Sequence, residues 1–139
     1  MKKKFSPKWK ASKKIRKQRK YRYEAPLHVR HKFLNANLSK DLRKKYGIRS
    51  MPLRKGDSVK VMNGEFRSKK GKIGKIDTRN FRVYIEGLQK SKKDGTKVNV
   101  PFQPSNVQIT ELNLDDKKRM DIIERKKAKQ GKKKEEKKK

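Results

Sequence analysis

The chain has 139 residues, of which 46 are Lys or Arg and 14 are Asp or Glu, a formal net charge of +32. Only 29% of residues are apolar, too few for one well-filled globule of the whole length against a chain entropy of about 1–2 kcal/mol per residue. No apolar run approaches the ~20 residues of a spanning helix, and the lack of Cys excludes disulfides, thiolate zinc sites and thiol nucleophiles.

The charge is uneven: residues 1–50 carry net +17, residues 51–114 net +8 and residues 115–139 net +7. No leader is expected, because Met1 to Phe5 runs into Ser6, Pro7 and more Lys. Residues 1–25 hold 12 basic groups and one acid, Glu24, with single apolar residues in no sustained period. They read as a basic extended arm, ordered by a polyanion. Aromatic rings lie among its cations: Trp9 between Lys8 and Lys10, Arg22 between Tyr21 and Tyr23. Such rings stack on unpaired bases or, for the tyrosines, pack on the folded domain. Residues 26–50 read as two short basic helices. Pro26 suits a first helical position and Leu27, Arg30, His31 and Leu34 share a face. Ser39 caps the second, Asp41 and Lys44 complement its dipole, and Gly47 stops it. His28 and His31 are three residues apart, but without Cys or an acid cluster nearby they are expected to hydrogen-bond RNA and not to hold a metal.

Residues 51–114 alternate. Val59/Val61, Phe81/Val83/Ile85, Val98/Val100 and Val107/Ile109 alternate with polar residues, and Ile73 and Ile76 lie on a further strand between glycines, which gives five short strands separated by turn residues. This predicts a mainly β fold, a small curved sheet or barrel with a modest core. Residues 115–129 follow as a helix, started by Asp115 and Asp116 and docked by Met120 and Ile123; residues 130–139 read as a disordered Lys/Glu tail.

The segment from Gly56 to Ile76 runs strand, glycine turn, basic loop, glycine, strand. It resembles the KOW motif, with Gly64, Phe66 and Gly71 at matching positions and Ser68 where many members have glycine. Its flanks extend the likeness: Ala25 to Lys32, Leu38 to Arg54, Tyr84 to Gly87 and Pro104 to Val107. Together they resemble the large-subunit ribosomal protein family numbered twenty-four in bacteria and twenty-six in eukaryotes, in its archaeal and eukaryotic branch, over about residues 16–127. The resemblance implies an SH3-like barrel with a basic N-terminal arm. It also implies binding to the 5′ domain of large-subunit ribosomal RNA near the polypeptide exit tunnel, beside neighbouring ribosomal proteins, an early role in subunit assembly, and a cytoplasmic location.

Lys and Arg neutralise phosphates through counterion release and position a protein without reading sequence. The candidate RNA-binding residues are Trp9, Lys13, Lys14, Arg16, Lys17, Arg19, Lys20, Tyr21 and Arg22 in the arm. His28, Arg30, His31, Lys32, Lys44 and Arg49 come from the helical segment, and Arg54, Arg79 and Arg82 from the domain. One hairpin contributes Arg67, Lys69, Lys70 and Lys72, and a second Lys90, Lys92, Lys93 and Lys97. No phosphate-binding loop or nucleophile–base pair is visible, so no enzyme, cofactor, membrane insertion or homo-oligomer is expected. A KOW-type transcription elongation factor and a charge-driven DNA condenser are the competing readings.

Overall fold

The computed structural model describes residues 4–125. A 3-10 turn, Pro7–Ala11, leads to α1 (Ile15–Tyr23), α2 (Leu27–Phe33), β1 (Asn35–Leu38), α3 (Lys40–Tyr46) and β2 (Ser50–Pro52). Then follow β3 (Ser58–Val61), β4 (Lys70–Asp77), β5 (Arg82–Ser91), β6 (Lys97–Phe102) and β7 (Val107–Glu111). Residues 117–125 form a last helix, α4. Lys126, Lys127, Lys129 and the 130–139 segment lie outside the described residues.

The strands make one seven-stranded sheet in the order β2-β1-β7-β3-β4-β5-β6. Every described pairing is antiparallel except β1 with β7, which run parallel with Asn37 opposite Gln108 and Leu38 opposite Ile109. The five expected strands are β3 to β7. Their alternation sends Val59, Val61, Ile73, Val83, Ile85, Val107 and Ile109 into a core completed by Leu34, Leu38, Met51 and Ile123. Register shifts at Ser58/Val59, Ile73/Lys75 and Tyr84/Gln89 bend the strands. Among the described residues the outer strands β2 and β6 do not pair, so the sheet is open.

Four features differ from the sequence-based expectation. Residues 7–23, expected to be extended, are largely helical, because Lys, Arg and Gln are good helix formers and aromatic contacts dock them. β1 occupies the link between the two expected helices, recruited by partners remote in sequence. Val98, expected inward, is 42% exposed, because the far half of the β5–β6 ribbon projects past the core. In α4 Ile123 is buried as expected, but Met120 is exposed and Arg119 takes the inner position, 2% exposed.

The cap and stop of α3 act where sequence places them, and Pro26 is displaced by one position. Ser39 Oγ accepts the Leu42 amide at 3.3 Å and Gly47 ends α3 with a left-handed φ of 66°. Pro26 precedes α2 as its cap, in extended conformation, and does not occupy the first helical turn.

Candidate nucleic-acid interface

The N-terminal helix is held by a chain of rings. Phe5 stacks on Tyr21 at 5.3 Å between centroids, Tyr21 meets Phe33 edge-on at 5.8 Å, and Phe33 meets Phe81 at 5.1 Å. Each pair contributes about 0.5–1.5 kcal/mol beyond burial. Arg22 lays its guanidinium over Phe81 at 5.2 Å, and the Lys20 ammonium lies 5.2 Å over the Trp9 ring. Tyr21 is thus a half-buried packing residue with its ring between two others, and Trp9 is half-buried. Lys13, Lys14, Arg16, Lys17, Arg19, Lys20 and Arg22 are all exposed, a cationic surface on a fixed helix.

Arg30 works inside the protein. Its Nε donates to the Ala25 carbonyl at 2.8 Å and its Nη2 to the Tyr23 carbonyl at 2.6 Å, which locks the elbow between α1 and α2. His28, His31 and Lys32 are exposed on α2, Lys44 on α3 and Arg49 just before β2. Among the described residues no three His, Asp or Glu side chains gather to hold a metal ion.

The two basic hairpins lie side by side. Arg67, Lys69, Lys70 and Lys72 are exposed on the first; Lys90, Lys92, Lys93 and Lys97 are exposed on the second. Lys90 Nζ reaches Glu65 Oε2 at 3.2 Å and joins them. The exposed pair adds little stability, but it takes one cation out of the free set. Phe66 anchors the first loop edge-on against Phe102 at 5.8 Å, with the Lys69 ammonium 5.4 Å over its ring. Ser68, in this loop, has a φ of 68°, the left-handed region that favours glycine. Gly71 follows for a different reason: a Cβ there would sit 2.6 Å from Ile85 Cγ2 and 3.0 Å from the Glu86 carbonyl oxygen.

The remaining candidates sit apart from the hairpins. Arg82 is half-buried at the start of β5 and Arg79 is exposed in the β4–β5 turn. Asp77 builds that turn, accepting the Arg79 amide at 2.9 Å, the Asn80 amide at 3.1 Å and the Asn80 side-chain amide at 2.7 Å. Hydrogen bonds from the Asn80 backbone and side chain, with help from Arg79 and Lys75, hold its carboxyl below the ordinary value of 3.8. Arg54 pairs with Asp116, so it is tied to the α4 approach.

Sequence reasoning missed the pair that closes the fold. Asp57 is 0% and Arg119 2% exposed. The Arg119 fork meets both Asp57 oxygens at 2.6 and 2.8 Å. Asp57 also accepts the amides of Arg54 at 2.8 Å and Asn113 at 3.0 Å. A charged pair this well hydrogen-bonded is tolerable in a dry interior. The available signal was that Arg119 stands four residues before Ile123 on the same helix face.

The exposed residues of the arrangement are predominantly cationic, and that charge suits a polyanion. The arrangement presents cations from α1, α2 and the two hairpins, and no group of metal ligands gathers among the described residues. The chain matches the family model of the ribosomal proteins L26 of eukaryotes and L24 of archaea over residues 12–126. It is 49% identical over 110 residues to the large ribosomal subunit protein uL24 of Korarchaeum cryptofilum (strain OPF8), covering 79% of this chain and 84% of that protein. It is 46% identical over 115 residues to the protein of the same name from Methanosphaera stadtmanae, covering 83% of this chain and 98% of that one.

Proposed function

The chain belongs to the family of ribosomal proteins called L26 in eukaryotes and L24 in archaea, and from that premise we propose how it engages RNA. It is a structural constituent of the large subunit of the cytoplasmic ribosome and not an enzyme. Its ligand is large-subunit ribosomal RNA, in the 5′ domain near the polypeptide exit tunnel, with neighbouring ribosomal proteins beside it, and it acts early in assembly. The bent β3–β7 portion serves as an SH3-like platform that docks on folded RNA. Helix α1 with its exposed cations, the Arg67–Lys72 loop and the Lys90–Lys97 hairpin carry phosphates, and residues 130–139 touch phosphates loosely.

The observation that carries this reading is the partition of charge. Apolar side chains and the Asp57–Arg119 pair close the inside, while the cations of α1 and both hairpin tips are exposed. A charge of +32 on so small a body needs a polyanion to relieve its self-repulsion. The test is a sucrose gradient of cell lysate at moderate and then high salt, followed by detection of this chain. Retention on large subunits through the high-salt wash is expected. Release into the free fraction, or migration with RNA polymerase, overturns the proposal.

A further inference from the structure

Helix α1 and the β4–β5 turn enclose an open cleft of about 430 Å³. Arg19, Arg22 and Arg79 line it with Ile15, Tyr23 and Phe81, and none of the lining residues is acidic. Two observations set it apart from the other basic surfaces. Ile15 and Tyr23 are each 72% exposed, an apolar and aromatic pair left open to water in a protein short of apolar residues. Their setting is also rigid. Arg30 holds the Tyr23 carbonyl at 2.6 Å. Phe81 is kept at a strained φ of 56° beneath the Arg22 guanidinium, and the Asp77 turn fixes the Arg79 backbone.

We infer that this cleft receives one unpaired nucleotide of an RNA strand. Its base stacks on the Tyr23 ring beside Ile15, and its flanking phosphates lie on Arg19, Arg22 and Arg79. The inference rests on the RNA-binding reading and adds to it a site and a strand type. An A-form duplex offers these arginines phosphates but keeps its base faces stacked internally. Only an unpaired base has a free face for a ring, and guanidinium planes accept such a base equally well. Preformed rings and forks also reduce the ordering that binding requires.

The test uses the full chain with a single-stranded oligoribonucleotide and an RNA duplex of equal phosphate count, at matched salt. Tyr23→Ala is expected to weaken single-strand binding by about tenfold, the effect of losing one base–aromatic stack, and to leave duplex binding unchanged. Tyr23→Phe restores it. Arg79→Ala weakens both and lowers the salt slope by roughly 0.7–0.9, the share of one phosphate. Tyr23 is exposed, so unchanged far-UV circular dichroism and Trp9 fluorescence confirm that the variants fold. If Tyr23→Ala shifts neither ligand, or shifts both equally, the inference is overturned while the RNA-binding reading stands; binding of an acidic peptide that Tyr23→Ala abolishes overturns it too. If the unaltered chain binds neither RNA at physiological salt, the RNA-binding reading fails and the inference with it.

Discussion

Ser68 holds a φ of 68° in the middle of the basic loop, a conformation that costs an L-residue about 1–2 kcal/mol. Ser68→Gly is therefore expected to raise stability by about 1 kcal/mol, read as a higher denaturant midpoint with an unchanged slope. Gly71→Ala has the opposite sign. The new methyl group meets Ile85 at 2.6 Å, in a packed core where overfilling costs about 1–3 kcal/mol. The Asp57–Arg119 pair predicts a strong asymmetry. Asp57→Ala strands a buried guanidinium and costs about 3–5 kcal/mol, whereas adding Arg119→Ala to it costs much less than the sum of the two single changes. Asp77 gives a pH dependence. Its native carboxyl is lowered below 3.8, so the turn's contribution is full above that value and is lost as pH falls through the lowered native value. Amide exchange at Asn80 in acid is the measurement, and Asp77→Ala abolishes the dependence. Gly71 and Ser68 were visible in the sequence as motif positions. Arg119 was not, because one arginine among 46 basic residues carries no mark of burial until its partner is known.

At the scale of elements, β3 and β5 to β7 were legible because apolar residues alternate with polar ones along them, and β4 from Ile73 and Ile76 set among glycines. The capped helix α3 was legible from Ser39 and Gly47. Strand β1 was not: Asn35-Ala-Asn-Leu38 has weak strand propensity, and its pairing is set by Met51 and Ile109, which local reading does not connect to it. The docking of α1 was hidden for the same reason. Its four rings, Phe5, Tyr21, Phe33 and Phe81, are scattered along the chain and meet only in space. Phe33 takes part in two of the three ring pairs. Phe33→Ala is therefore expected to release α1 from the sheet, losing about 1–3 kcal/mol of pair energy. Reduced ellipticity at the helix band, with retention of the sheet signal, checks this.

The whole molecule divides a small apolar interior from a large cationic exterior, and the proposed RNA contact draws on the exterior alone. Deleting residues 1–25 removes 12 cations. It is expected to lower affinity for large-subunit ribosomal RNA strongly and to flatten the plot of log affinity against log salt by roughly 0.7–0.9 for each phosphate no longer neutralised. Filter binding across a salt series measures this, and an unchanged slope removes α1 from the interface. The parallel pairing of β1 with β7 has a consequence in time. Leu38 and Gln108 are 70 residues apart and meet through a side chain to carbonyl bond; the Ser39 amide likewise waits for the Ile109 carbonyl at 2.8 Å. While the chain is being synthesised, β1 is complete long before β7, the strand it pairs with in parallel, exists. During that interval the basic N-terminal segment lacks this hold on the sheet. Its cations are then open to any nearby polyanion before β7 completes the sheet.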